Sequence, residues 1–264
     1  MFDLHTHIIP GIDDGADNLD ISRAMLELAV SHGTEGLVVT PHVVEGGWLP
    51  EWDEIVAGCE LLRKVSEESG YTLSIYPGAE VALSMDILSR ITGPGPYCIN
   101  GGSYLLTELP ALEIPPYTED FFFTLQARGI TPILAHPERN PMVARNLERL
   151  EEWVQRGVLL QINAPSLNGR LGKEVAATAE YLVTCGLAHV IGSDAHGVKS
   201  RRPILSEAAQ KLQDLVGEDG FQRICRENPM KIIANETVEP MLAVQVSTSK
   251  KSGGWFGRWF SGKK

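Results

Sequence analysis

Met1-Phe2-Asp3-Leu4-His5-Thr6-His7, at the start of the chain, decides how the fold is read. Residues 1–4 have the apolar character of a short strand, and a His-x-His pair follows at once. Side chains alternate along an extended chain, so His5 and His7 point to one side. The pattern then repeats. Short β-rich runs at 36–40, 72–76, 104–107, 131–135, 158–162 and 189–191 end on His42, Glu80, Glu108, His136, Asn163 and the pair Asp194/His196. Helical periodicity fills the gaps at 19–32, 51–69, 118–127, 144–156 and 172–185, and two further helices near 204–216 and 220–226 close the fold. Seven strands, each followed by helix, predict a parallel α/β architecture. In an open sheet the seven strand ends would spread along roughly 30 Å, given about 4.8 Å between neighbours. Ring closure gathers them at one mouth. The expectation is a closed or nearly closed (β/α)7 barrel with its site at the carboxyl ends of the strands.

Composition narrows the class. At 264 residues, 43% hydrophobic and 22% charged, the chain can build a large core and is not disordered throughout. No apolar run approaches the ~20 residues of a membrane span, and no signal peptide is visible, so a cytoplasmic protein is expected. The net charge of −11 hides an asymmetry: residues 250–264 hold five basic and no acidic residues, leaving −16 on the rest. Such a body argues against nucleic acid as a partner and would repel a phosphorylated substrate unless cations or arginines reverse the local field. The four cysteines (Cys59, Cys98, Cys185, Cys225) form no metal-binding spacing. None has an Arg six residues later, where Val65, Tyr104, Ile191 and Lys231 stand. A Cys-x5-Arg phosphate loop is therefore absent.

Nine residues are candidate metal ligands: His5, His7, Asp14, His42, Glu80, Glu108, His136, Asp194 and His196. A single catalytic ion takes about three protein ligands, so nine suggest two or three divalent ions sharing carboxylates. Three such ions outweigh the four carboxylates, which turns the local charge positive and lets a phosphate bind. The set has no thiolate and suits manganese, iron or zinc. Closely spaced ions of this kind activate water and clamp both oxygens of an in-line displacement, chemistry suited to phosphate-ester hydrolysis. Asp13 and Asp14 also fit an ordinary turn before a helix. His32 and His189 are read as structural. Phe121-Phe122-Phe123 is read as core packing, and Trp48 and Trp52 either as a rim near the mouth or as packing on the following helix.

The motifs Asp3-Leu4-His5-Thr6-His7, Thr40-Pro41-His42, Gly78-Ala79-Glu80, Ala135-His136-Pro137-Glu138-Arg139 and Ser193-Asp194-Ala195-His196 resemble those of the PHP (polymerase and histidinol phosphatase) superfamily. The run from His5 to Ala16, through Pro10-Gly11-Ile12-Asp13-Asp14-Gly15, is similar to the bacterial PHP-type protein-tyrosine phosphatases. The resemblance covers about residues 1–235 and implies a distorted (β/α)7 PHP barrel with a trinuclear, often manganese, centre. It implies a phosphotyrosine protein substrate, a membrane-associated tyrosine autokinase controlling capsule or exopolysaccharide synthesis. It places His5, His7, Glu80 and Asp194 on one metal, Glu80 with Glu108 and His136 on a second, and Asp14, His42 and His196 on a third. It gives phosphate binding to Arg139 and to either Arg201 or Arg202. Asp13 is a candidate general acid. The alternatives are a small-molecule phosphatase, for instance on histidinol phosphate, and a catalytically silent metal-binding docking protein.

The expected organisation is a domain over 1–236 and an extension over 237–264. In its tail, Trp255, Phe256, Trp259 and Phe260 would share one helical face among lysines, a pattern suited to weak contact with a membrane surface. The other reading is a disordered end, or one tucked onto a neighbouring subunit in an oligomer.

Overall fold

Nine strands, all paired in parallel, are seen in the computed structural model, which describes residues 1–239: β1 (Phe2–Thr6), β2 (Gly36–Val39), β3 (His42–Val43), β4 (Ser74–Pro77), β5 (Glu80–Ala82), β6 (Tyr104–Glu108), β7 (Thr131–Ala135), β8 (Leu159–Asn163) and β9 (Val190–Gly192). They form a three-stranded sheet ordered β1-β2-β4 and a six-stranded sheet ordered β3-β5-β6-β7-β8-β9. β2 and β3, like β4 and β5, are successive pieces of one chain path, so seven strand positions are present, as expected. The last position meets the first through an isolated Thr6–Ala195 bridge, with His7 N–H donating to Ala195 O at 2.8 Å and Asp194 N–H to His5 O at 2.9 Å.

Both interruptions have local causes and place ligand candidates. Pro41 has no N–H to continue the β2 ladder. Gly78 lies so close to β2 that an added Cβ would sit 2.8 Å from Val38 Cγ1. After these two breaks the paths pair again with His42 opposite Glu80, and Glu80 N–H donates to Pro41 O at 3.0 Å. The sequence reading placed His42 and Glu80 just beyond their strands; they are the first residues of resumed strands.

Parallel strands buried on both faces are apolar throughout. Thus Leu37, Val38 and Val39 are all fully buried. Alternation puts Tyr104, Leu106 and Glu108 of β6 on one face, and Leu159, Gln161 and Asn163 of β8 likewise. Tyr104, Leu106, Ile133, Leu159 and Val190 form an apolar plug with Ile232 and Ile233 of the last helix, beneath the polar residues at the carboxyl ends. Helices Leu19–Ser31, Trp52–Glu68, Thr118–Ala127 and Lys173–Thr184 follow the expected segments closely. The expected 144–156 helix is two, Pro141–Ala144 and Leu147–Gln155, because Asn146 caps the second through its side chain. Gly217, at φ 71°, breaks the segment Ser206–Gln222 where the sequence suggested a break. Packing continues past residue 236: Val238 is buried, and its N–H donates to the Tyr104 hydroxyl at 3.0 Å.

Candidate metal centre

Glu80 occupies the middle of the carboxyl-end cluster and is fully buried. Its Oε2 lies 3.1 Å from His5 Nε2, 3.2 Å from His7 Nε2 and 3.1 Å from His42 Nδ1, while Oε1 lies 3.0 Å from His136 Nε2. On one side Glu108 reaches within 3.7 Å of His136. On the other, Asp14 Oδ1 lies 3.3 Å from His196 Nε2 and 3.6 Å from His42 Nε2. Asp194 Oδ1 closes the floor 3.5 Å from His5. All nine expected ligands therefore converge. They fall into four overlapping groups with ligand-compatible spacing: His7/Asp14/His42/His196, His5/His7/Glu80, His5/His136/Asp194 and His42/Glu80/Glu108.

Backbone geometry aims these side chains inward. His136 (φ 32°) and Asp194 (φ 53°) adopt left-handed conformations just past β7 and β9, a cost of roughly 1–3 kcal/mol each that recurs at functional sites. Gly15 lets the Asp13-Asp14 loop lie on β1, since a Cβ there would fall 2.0 Å from His7 O.

The donor set fits divalent cations. His42 Nδ1, Glu80 Oε2 and His196 Nε2 are buried without hydrogen-bond partners, an arrangement that ordinarily costs about 1–3 kcal/mol per group. His5 Nε2 and His7 Nε2 face each other at 3.0 Å. Ring nitrogens and a carboxylate oxygen crowded on a common point suit a shared ion, which displaces the protons they would otherwise hold. The electrostatics agree. Burial works against charging His7, but the hydrogen bond to Asp13 and the nearby Glu80 carboxylate outweigh it and raise its pKa to about 10. Burial and the Glu80 charge raise Glu108 to about 7. Burial and the charges of His7 and Arg201 push His196 down to about 2. Burial alone would raise Glu80, yet the surrounding histidines hold it well below the usual carboxylate range.

The arginines divide. Arg139 Nη1 donates to Asp194 Oδ2 at 2.5 Å, and Arg201 bonds Asp194 through Oδ1 and, at 3.1 Å, through the backbone O. Arg202 points away and pairs with Glu207 at 2.5 Å. Of the two adjacent arginines, Arg201 is the one beside the cluster. Asp13 lies between His7 and the start of β3. Its buried carboxylate accepts from His7 Nδ1 at 2.7 Å, Gly15 N–H at 3.0 Å and His42 N–H at 3.0 Å. Burial raises its pKa, but the His7 and backbone bonds outweigh this and lower it, and the same bonds orient His7.

Asn163 ends β8 and belongs to none of the four groups. Two residues are new: Gln161, fully buried beside His5, and Glu138, whose Oε1 accepts from Asn163 N–H at 2.9 Å and Ser166 Oγ at 2.7 Å. The signal for Gln161 is its place, with Asn163, as an alternating polar residue within the apolar run Leu159-Leu160-Gln161-Ile162-Asn163, and Glu138 lies inside the His136-Pro137-Glu138-Arg139 motif. Trp48 is exposed and stacks on His42 (5.6 Å between centroids, 20° between planes), whereas Trp52 packs edge-on against Tyr97. Phe121 and Phe122 are buried but Phe123 is 71% exposed, so the triplet is only partly core. His32 bonds its own helix end, and His189 is buried. Burial pushes the thiols of Cys59, Cys98 and Cys225 up to about 12, 11 and 12, which makes them poor nucleophiles. A cleft of about 70 Å³ lined by Glu108, Leu109, Ala111, His136, Pro137 and Arg139 opens beside the cluster.

The chain is similar in sequence and fold to known proteins. The chain is 32% identical to the tyrosine-protein phosphatase YwqE of Bacillus subtilis over 238 residues, spanning 90% of this chain and 93% of that one. It is 27% identical to the tyrosine-protein phosphatase CpsB of Streptococcus pneumoniae over 243 residues, 90% of this chain and all of that one. A chain from the crystal structures of YwqE from B. subtilis and CpsB from S. pneumoniae, described as unique metal-dependent tyrosine phosphatases, superposes with a TM-score of 0.84 at 31% identity, covering 92% of this chain and 98% of that one. The family described as "Capsular polysaccharide synthesis, CpsB/CapC" matches residues 1–234. With all nine strands inside that match, the chain belongs to the CpsB/CapC family.

Proposed function

We propose that this chain is a metal-dependent protein-tyrosine phosphatase acting in capsular or exopolysaccharide synthesis. The observation that carries the reading is the clustering of eight hard or borderline donors around a ninth, buried Glu80, with the guanidinium groups of Arg139 and Arg201 beside them. His5, His7, Glu80 and Asp194 would hold one ion, Glu80, Glu108 and His136 a second, and Asp14, His42 and His196 a third. Manganese is the first choice by resemblance, with iron or zinc as alternatives. When bound, such ions neutralise phosphate charge and lower the pKa of water. The chain's own residues do the rest. Arg139 and Arg201 take the non-bridging phosphate oxygens, and Asp194 keeps both arginines at the mouth. The leaving phenolate has a parent pKa of about 10, so it departs with little help from an acid. That suits a site where Asp13 has no proton to give.

The substrate in this reading is a phosphotyrosine segment of a membrane-associated tyrosine autokinase, and the enzyme works in the cytoplasm. Among the described residues no helix is long and apolar enough to cross a membrane. The basic-aromatic tail at 250–264 lies outside the described residues. Its composition supports weak attachment to an anionic membrane surface, and loss of liposome sedimentation on removing those residues is the check.

The test is turnover of a phosphotyrosine peptide, a phosphoserine peptide and histidinol phosphate by metal-loaded enzyme and by His136→Ala. The expected result is a preference in kcat/KM for phosphotyrosine, abolished in the variant. A preference for histidinol phosphate would select the small-molecule alternative, and no hydrolysis at all would leave a silent docking protein.

A further inference from the structure

Among the described residues β8 is the strand position that gives no residue to the four ligand groups, yet its carboxyl end carries two buried amides. Gln161 and Asn163 stand two residues apart on the same face, both buried to 1% exposure or less. They form an unbroken chain of hydrogen bonds between two ligand candidates from opposite ends of the sequence. His5 Nδ1 meets Gln161 Oε1 at 2.9 Å, Gln161 Nε2 meets Asn163 Oδ1 at 2.8 Å, and Asn163 Nδ2 meets Asp194 Oδ2 at 2.8 Å.

The direction of this chain is fixed from one end. Two arginines bond Asp194 and keep it a carboxylate, which can only accept. Asn163 must therefore present its NH₂ to Asp194 and its oxygen to Gln161. Gln161 must then donate to Asn163 and turn its own oxygen to His5. His5 is left to donate from Nδ1, so the nitrogen it offers an ion is Nε2, which faces His7 and Glu80. Each amide has one orientation that satisfies both neighbours, so reversal of any member strands a buried polar group. The fold also reserves room for the contact. A Cβ on Gly192 would fall 2.7 Å from His5 Cβ and 2.8 Å from Gln161 Nε2.

We infer that Gln161 and Asn163 are positioning residues that set the tautomer of His5 and lock Asp194 to it, pre-forming the ion site shared by β1 and β9. The inference rests on the metal-centre reading above. An amide pair suits the task because it transmits a donor–acceptor direction without itself gaining or losing charge when an ion binds. Partners of this kind behind metal ligands typically change affinity by about 10–100-fold.

Two measurements test it, neither relying on turnover. The first is ion content and affinity of folded wild type, Gln161→Met and Gln161→Glu, by mass spectrometry after titration with manganese. Gln161→Met removes the bond to His5 and should weaken the ion held by His5 by about 10–100-fold. Gln161→Glu keeps the acceptor for His5 Nδ1 and should recover part of that loss. The second is long-range ¹H–¹⁵N histidine NMR of zinc-loaded wild type, which should show His5 protonated at Nδ1. That spectrum needs no variant, so it decides the question even if Gln161→Met fails to fold. A wild type that binds no metal would refute the centre itself. A wild type that binds metal with His5 protonated at Nε2, or variants with unchanged affinity, would overturn the positioning role alone.

Discussion

Asp13 Oδ2 takes a hydrogen bond from His7 Nδ1 at 2.7 Å and another from the backbone N–H of His42 at 3.0 Å. One carboxylate in the loop after β1 thereby orients a ring from the first strand and pins the start of β3, where the next histidine stands. Asp13→Asn keeps the size but removes the charge that stabilises this pair. Metal affinity should drop by about 10–100-fold, and turnover of good and poor aryl leaving groups should drop by the same factor. A series of substituted phenyl phosphates reads this. If the variant loses selectively on the poorest leaving groups, Asp13 is a proton donor after all.

Arg201 and Arg202 are neighbours with different surroundings. Arg201→Ala removes a donor beside the cluster and should lower kcat/KM on phosphotyrosine by about 10²-fold. Arg202→Ala breaks a partly exposed pair with Glu207, worth at most about 1 kcal/mol of stability, and should leave kcat/KM within about twofold. Steady-state kinetics of the two variants side by side checks the division, and equal losses would reject it.

His7, with a pKa raised to about 10, holds a proton near neutrality until an ion displaces it. Metal binding should therefore release protons and strengthen as pH rises, by about tenfold per pH unit for each proton displaced. Calorimetric titration in buffers of different ionisation enthalpy counts the protons. Affinity that stays flat from about pH 6 to pH 8 would contradict the assignment.

His189 lies outside the centre and makes the fold acid-sensitive. Its Nδ1 accepts from Leu160 N–H at 3.0 Å, and burial lowers its pKa from 6.5 to about 4. The unfolded chain takes up a proton below about pH 6.5 while the folded protein resists until about pH 4. Stability is thus complete above the unfolded pKa and declines as pH falls through this window. The loss between pH 8 and pH 5 should be about 2 kcal/mol. His189→Asn retains an acceptor that does not titrate. Its urea-unfolding free energy should vary less between those two pH values, even if lower throughout.

Much of the centre was legible in the chain because each strand end states its own chemistry. His5-x-His7, His42, Glu80, Glu108, His136 and Asp194-x-His196 each follow or begin a short apolar run, and parallel β/α alternation leaves one mouth for them to share. The left-handed conformations of His136 and Asp194 and the tight contact of Gly15 on His7 lie within the motifs that announced the site.

What the chain could not state was which polar atoms meet. Arg201 and Arg202 are adjacent and chemically identical, and only the path of the backbone after β9 turns one to Asp194 and the other to Glu207. Asp13 reads as an acid or a turn residue until His7 and His42 are packed around it. Gln161 and Asn163 look like interruptions of an apolar strand until β8 is set beside β1 and β9. Ligand type is a property of a residue and survives in the sequence. Hydrogen-bond direction, tautomer and pKa belong to neighbours brought together across as many as 190 positions, as Asp3 and Ser193 are, and only the tertiary packing of the strands decides them.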